Sequence, residues 1–300
     1  MIKLNYGNVI ENNNVLMKSI TTYKLNGVVK RVLYPLDIDS LKSIIEKLNN
    51  KNEKFVILGN GSNVIFRNQY YDGTVIKLTK INNIDVKNNI IYVDSGCLLS
   101  KVVDTSKKHE LKGLEFSSGI PGTIGGAVYN NAGAYGKSFS DIIEEVLVLE
   151  NNCIKKLKKS DLKFGYRYSI FKENKNLIIL GAKIKLKKGH AKEINELIKE
   201  YAKKRITSQP LKYPNAGSVF KNPPGLSAGK IIEELNLKNF NVNDAFISNK
   251  HANFIINKNN STGLDIINLI NYVQEKVLKE KNILLTLEQE IINWISAPYN

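Results

Sequence analysis

Residues 119–136, GIPGTIGGAVYNNAGAYG, hold six of the chain's twenty glycines within eighteen residues. Glycine removes the Cβ clash at positive φ and lets backbone approach another chain segment or a ligand closely. Ile120, Ile124, Val128 and the alanines of the run need burial, which excludes a disordered linker. No lysine stands where a Walker-type phosphate loop needs one, so P-loop chemistry is excluded as well. Small residues mixed with Asn, Thr and Tyr suit a large, flat, phosphate-bearing cofactor lying along the chain.

A second glycine turn, GNGSNV at 59–64, superficially matches a dinucleotide fingerprint. Its sixth position is Val64, and strand-like residues follow where the fingerprint needs a helix N-terminus under a pyrophosphate. What remains is an anion nest of consecutive N–H groups or a tight structural turn. A third loop, YPNAGSVFKNP at 213–223, isolates one serine, Ser218. Its hydroxyl could be a nucleophile, an anion clamp, a proton donor or a turn cap. The absence of a GxSxG elbow argues against a hydrolase nucleophile.

Around these loops the chain reads as α+β. Leu41, Ile44, Ile45 and Leu48 line one helical face over 37–50, behind an Asp cap. Residues 98–111, 191–205, 228–235 and 263–281 read as further helices, the last with a capping box from Thr262 and Asp265. Strands are expected at 54–66, 74–78, 90–96, 145–149, 177–186, 251–257 and near the C-terminus, without regular βαβ alternation. Three hundred residues suit two domains, or one large one with an appendage, and Pro210 and Pro214 make about 188–212 the expected linker or domain boundary.

The formal charge of +16 comes from lysines scattered through an Asn- and Ile-rich chain. The densest clusters lack interleaved aromatics, so a nucleic-acid partner is not expected, whereas an anionic small substrate fits. Isolated Cys97 and Cys153 predict neither a disulfide framework nor a metal site. No apolar run reaches the roughly 18 residues of a membrane span, and no signal-peptide core is present. A soluble, cytoplasmic monomer is expected.

The segments LGNGSNVIF, IPGTIGGAVYNNAGAYG, GYRYS (165–169), NAGSVFKNP (215–223), AGKIIEE (228–234) and HANFIIN (251–257) occur in a telling order. Together they resemble the UDP-N-acetylenolpyruvoylglucosamine reductases over about residues 19–295. The resemblance implies an FAD-binding domain of the vanillyl-alcohol-oxidase type over 1–190, with α+β subdomains of about 1–78 and 79–190. An α+β substrate-binding domain would span 206–300, its last residues returning to the FAD domain.

The resemblance also implies bound FAD, NADPH as co-substrate, and reduction of a UDP-sugar enolpyruvyl ether with hydride from the reduced flavin N5. Gly59, Asn60, Gly61, Ser62 and Asn63 would cradle the pyrophosphate. Pro121, Gly122, Thr123, Gly125, Gly126, Ala132 and Gly133 would line the flavin. Ser218 matches the family's proton donor, and Arg167 and Glu290 match its enolate-stabilising pair. Glu288 projects to the same strand face as Glu290 and competes with it. Tyr166, Tyr213, Asn222 and His251 are candidate substrate contacts. The short stretch between Arg167 and Ser218 points to the subtype lacking a tyrosine-bearing loop, with Tyr166 as the substitute. Asn26-Gly27, Asn243-Asp244-Ala245 and Ile291-Ile292 depart from the family pattern.

Overall fold

A computed structural model describes residues 7–292. The fold is α+β, and its contacts gather into two compact units. The first contains the described residues up to Asn12, then Val32–Asn60 and Thr74–Arg205; the second contains Asn13–Arg31, Gly61–Gly73 and the chain from Ile206 onward. This grouping differs from the contiguous 1–190 and 206–300 division expected from sequence. The reason is long-range pairing: strand Val64–Phe66 runs parallel to Glu290–Ile292, and the Asn26 N–H donates to the Ser261 carbonyl. The expected return of the last residues falls outside the described range.

In the first unit, α1 (Ile38–Asn50) starts at Asp37, whose carboxylate accepts from the Ser40 N–H at 2.7 Å. Leu41, Ile44 and Leu48 on its inner face are fully buried, each gaining about 1.5–3 kcal/mol over exposure. They pack with Leu33, Ile76, Leu149, Ile178 and Leu180 in one core. Strand Phe55–Leu58 runs parallel to residues 74–77 here, Phe55 opposite Thr74 and Leu58 opposite Lys77.

The first unit's other sheet is antiparallel, in the order Cys153–Lys158, Ile143–Glu150, Ile178–Lys185, Ile90–Asp94, Ile84–Lys87. A second core joins it to α2 (Leu99–Lys108) and to α3 (Ile124–Tyr129) through Val102, Val103, Ile124, Val128, Val146 and Ile184. The glycine-rich run therefore contains a helical turn that the sequence does not announce. α4 (Ala191–Ser208) covers the helix expected at 191–205, and the change of unit at Arg205/Ile206 falls within the span expected as linker or domain boundary.

Lys77 is 6% exposed, and burial lowers its ammonium pKa from 10.5 to about 8. The unfolded chain keeps that proton to higher pH, so stability rises with pH between about 8 and 10.5; below 8 the burial penalty is felt in full. Lys77→Met is expected to stabilise the protein at pH 7 by up to about 3 kcal/mol. In chemical denaturation that advantage should fade toward pH 10.5, and an advantage of equal size at both pH values refutes the account.

In the second unit, strands Asn241–Val242, Ala245–Ile247 and Ile255–Asn257 form a meander beside α6 (Gly263–Lys281). The capping box read from sequence is present: Thr262 Oγ1 accepts from the Asp265 N–H, and Asp265 accepts from the Thr262 N–H. α5 (Ala228–Glu234) begins at Ser227. Of the departures from the resembled pattern, the one at Asn243 has a local explanation. Asn243 sits at φ +49, a region asparagine tolerates, and its Nδ2 donates to Asp265 at 2.7 Å. Gly27 is kept where a Cβ would stand 2.6 Å from Met17 Sδ and 2.7 Å from the Gln69 carbonyl oxygen.

Candidate functional site

The first unit presses two of the predicted loops together. Gly59 follows strand Phe55–Leu58, and a Cβ there would lie 2.3 Å from Thr123 Oγ1. Asn60 Nδ2 donates to the Pro121 carbonyl at 2.7 Å. The Gly122 carbonyl accepts from the Leu99 N–H and the Ile124 N–H donates to the Cys97 carbonyl, so the loop is stitched to residues 97–99. Buried Thr123 caps α3, accepting from the Gly126 N–H at 3.4 Å. Gly125 has a protein reason to be glycine, since its Cβ would sit 3.0 Å from that of Ser95. Gly133 has another, the Lys137 carbonyl oxygen at 2.5 Å. Gly126 is different: it is exposed, and nothing lies closer to its Cβ position than Thr123 Oγ1 at 3.7 Å. Ala132 is half-buried and donates its N–H to the Ala127 carbonyl.

Arg167 reaches the same loop. It occupies a two-residue turn closed by reciprocal backbone bonds between Gly165 and Tyr168, and its φ is +53. A bulky side chain in the left-handed region costs about 1–2 kcal/mol that glycine would avoid. The turn aims its Nη2 at the Gly133 carbonyl, 2.8 Å away. Tyr166 is 57% exposed, with its ring centroid 5.4 Å from the guanidinium carbon. Asn131, buried and at φ +42, locks this turn to the loop: its Nδ2 donates to the Gly165 carbonyl and its Oδ1 accepts from the Ser140 N–H. No sequence argument singled out Asn131. An asparagine pair inside a glycine run was the available signal.

The second unit holds Gly61, Ser62 and Asn63. Gly61 has φ +71, and its carbonyl accepts from the Thr22 N–H. Ser62 is half-buried. Asn63 is committed to the C-terminal strand, donating to the Glu288 carbonyl and accepting through its own carbonyl from the Glu290 N–H.

The Ser218 segment lies between two others. Ser218 bridges Phe254 and Phe220 bridges Leu287, while Val219 bonds both the Asn253 carbonyl and the Glu288 N–H. Asn253 adds two side-chain bonds to the Phe220 backbone. The half-buried Ser218 hydroxyl thus rides on a rigid backbone.

Gln289 is the residue sequence reasoning missed. It is 3% exposed, accepts from the Tyr23 hydroxyl at 3.0 Å, and donates to the Ala216 and Gly217 carbonyls at 3.1 and 3.3 Å. Strand alternation offers the signal: an uncharged polar side chain between two glutamates faces inward, which turns Glu288 and Glu290 the other way, both half-buried. Gln289→Ala is expected to cost about 2–4 kcal/mol, because it orphans the buried Ala216 carbonyl, the half-buried Gly217 carbonyl and the Tyr23 hydroxyl. Slowed amide exchange at Gly217 and Ser218 should be lost in the same variant; unchanged exchange there counts against the clamp.

Asn222 and His251 have structural partners. Asn222 Oδ1 accepts from the Ala228 N–H at 3.0 Å, ahead of α5. His251 Nδ1 accepts from the Asn253 N–H, its ring lies against Gly229 and Phe254, and burial lowers its pKa, keeping it neutral at pH 7. Tyr213 is exposed, its carbonyl accepting from Asn215 Nδ2. Surface hollows elsewhere, one of about 880 Å³ beside Asn89, Asp141, Lys158 and Lys187, contain none of the predicted residues.

Residues 209–292 match the family model described as UDP-N-acetylenolpyruvoylglucosamine reductase, C-terminal domain, and residues 29–152 match an FAD binding domain. The UDP-N-acetylenolpyruvoylglucosamine reductase of Clostridium tetani is 44% identical over 293 residues, 95% of each chain. Its namesake from Caldanaerobacter subterraneus is 44% identical over 89% of this chain and 88% of its own. The chain belongs to the UDP-N-acetylenolpyruvoylglucosamine reductase family. Among solved structures, the UDP-N-acetylenolpyruvylglucosamine reductase of Thermus caldophilus superposes with a TM-score of 0.80 at 32% identity, covering 94% of this chain and 98% of that one.

The residues present fit the flavin that this reductase family's FAD binding domain calls for. The N–H groups of Asn60, Gly61 and Ser62 donate to no protein acceptor among the described residues, as a turn that binds phosphate requires. Gly126 leaves open backbone surface that a planar ring could cover. Among the described residues, no helix is long and apolar enough to cross a membrane.

Proposed function

We propose that the protein reduces UDP-N-acetylglucosamine enolpyruvate to UDP-N-acetylmuramate at the expense of NADPH, a step in peptidoglycan precursor synthesis. The observation that carries this reading is the near full-length similarity to reductases of that name, 44% over 95% of the chain. FAD, when bound, supplies the two-electron transfer between NADPH and the enolpyruvyl group. Gly59, Asn60, Gly61, Ser62 and Asn63 would hold its pyrophosphate, and Pro121, Gly122, Thr123, Gly125, Gly126, Ala132 and Gly133 would line the ring.

The protein's own task is to manage charge and a proton. Reduction of an enol ether beside a carboxylate builds negative charge into an enolate. Arg167, held in a strained turn, supplies a preorganised cation for it. Glu290 is the carboxyl group assigned to the same charge, and the commitment of its neighbour Gln289 to the protein interior supports that orientation. Ser218 Oγ gives the proton to carbon, which a hydroxyl does only when held close to a strongly basic carbon. Tyr166 and Tyr213 are assigned to the UDP-sugar by their exposure. Asn222 and His251 are assigned to the UDP-sugar as well, Asn222 to its diphosphate, while each also keeps the local partner described above. We assign the protein as a cytoplasmic monomer.

Purified protein should be yellow, and NADPH oxidation should depend on the enolpyruvyl sugar nucleotide. Colourless protein that FAD does not reconstitute, or NADPH oxidation indifferent to that nucleotide, rejects the reading.

A further inference from the structure

Arg205, near the C-terminal end of α4, carries a half-buried guanidinium in the first unit, with no acid beside it among the described residues. The ionisable groups acting on it are the Tyr135 phenol and the Arg167 guanidinium, with no carboxylate among them. Its Nε donates to the Gly119 carbonyl at 3.2 Å, at the first residue of the glycine-rich loop. A Cβ on Gly119 would sit 3.0 Å from the arginine Cδ, so the arginine stem packs against that backbone.

The other end of the loop is held in the same way, by Arg167 on the Gly133 carbonyl. Between them, Tyr135 at the tip of the Gly133–Ser138 hairpin stacks on Tyr201 of α4, ring centroids 4.1 Å apart and planes 4° off parallel. Its hydroxyl donates to the Tyr201 carbonyl at 3.1 Å. Tyr201 lies one helical turn before Arg205, so hairpin and helix are fixed in register.

A partly buried cation is normally matched by an anion. Like charges within reach of each other lower the affinity of both groups for their protons. Burial holds the Arg205 pKa below the usual guanidinium range; the Tyr135 phenol opposes that shift and Arg167 adds to it. A cation at a helix C-terminus can answer to that helix's own carbonyls, yet Arg205 gives its Nε to a different segment. Two guanidinia thus bracket one loop, Arg167 on the Gly133 carbonyl and Arg205 on the Gly119 carbonyl, and among the described residues no carboxylate pairs with Arg205.

We propose that Arg205 joins Arg167 in a two-guanidinium site for a planar, delocalised anion. Two ligand groups have that chemistry: a substrate carboxylate, and the pyrimidine edge of a reduced flavin. Both can accept paired hydrogen bonds from a guanidinium face. The proposal rests on the FAD-dependent reading above for the ligand and extends it to a residue that reading does not use.

The test compares FAD-loaded wild type, R205K and R205Q in two measurements. One is the two-electron midpoint potential from anaerobic titration against a reference dye. The other is equilibrium binding of the enolpyruvyl UDP-sugar to the oxidised protein, read from flavin absorbance. R205Q should weaken one of the two equilibria at least tenfold, which in the potential is a fall of about 30 mV. R205K, which keeps the charge, should recover most of the loss. A shift in the potential assigns the anion to the flavin; weakened sugar-nucleotide binding assigns it to the carboxylate. The proposal is overturned if neither quantity moves in R205Q. It is equally overturned if both variants lose melting temperature and FAD affinity together while the loaded fraction keeps wild-type values, because Arg205 then only ties Gly119 to α4. Wild type that does not bind the sugar nucleotide sinks the proposed function, and the potential still decides Arg205.

Discussion

Ser218→Ala should leave reduction of the flavin by NADPH within about twofold of wild type and slow its reoxidation by the enolpyruvyl substrate by about 10²–10⁴-fold. The asymmetry follows from where a proton is needed. In the proposed reaction the first half-reaction delivers none to the sugar nucleotide, whereas the second would end with a carbanionic carbon that must be protonated. The variant should fold, because Ser218 is held by its backbone bridge to Phe254 and sits between residues whose bonds to Asn253 and Glu288 are main-chain or come from a neighbour. Its stability should change by less than about 1 kcal/mol. Anaerobic stopped-flow of the two half-reactions separates the outcomes. Equal slowing of both assigns Ser218 to positioning, and no slowing of either returns it to a turn cap.

Gly61→Ala should abolish FAD retention and lower stability by about 3 kcal/mol or more. Two effects add at this residue. Its φ of +71 lies in the left-handed region, and a Cβ there would stand 2.2 Å from the Ile20 carbonyl oxygen, a backbone atom that cannot swing away. Gly217→Ala provides the control. Its φ is nearly the same, +75, but nothing lies within 4 Å of the added carbon. That variant should lose only the conformational part, about 1–2 kcal/mol, and stay yellow. Flavin absorbance after gel filtration and denaturant midpoints of both variants decide the matter. Equal losses in the two would show that overlap with Ile20 contributes nothing.

Local signals in the chain proved legible. Asp37 starts α1, and Thr262 with Asp265 starts α6, as their side-chain chemistry dictates. α3 was hidden because Gly125 and Gly126 are poor helix formers; Thr123 capping and the packing of Gly125 on Ser95 override that propensity. Strand Val9–Leu16 was equally hidden, being mostly exposed and lacking an alternating apolar face. An FAD-binding part followed by a C-terminal domain was legible through motifs, but not the pairing of Val64–Phe66 with Glu290–Ile292, which no local pattern announces.

The site shows the same split. Arg167 and Ser218 stand out through motifs, but the reasons they are held as they are lie in Asn131, Asn253 and Gln289, amides whose roles depend on distant carbonyls. Asn222 and His251 were read as substrate contacts from their motifs, and the structure gives each a local partner that spacing alone does not reveal.

The parallel pairing of Val64–Phe66 with Glu290–Ile292 also sets a schedule for synthesis. The earlier strand leaves the ribosome first and waits for a partner some 226 residues behind it, Val64 being paired with Glu290. At about 5–20 residues per second, that wait lasts on the order of 10–45 seconds. Throughout it, the apolar edge of Ile65 and Phe66, buried in the finished protein, has no strand to pair with. A nascent chain halted before residue 290 would expose this edge to other copies of itself, which makes the last strand the step that commits the newly made protein to remaining in solution.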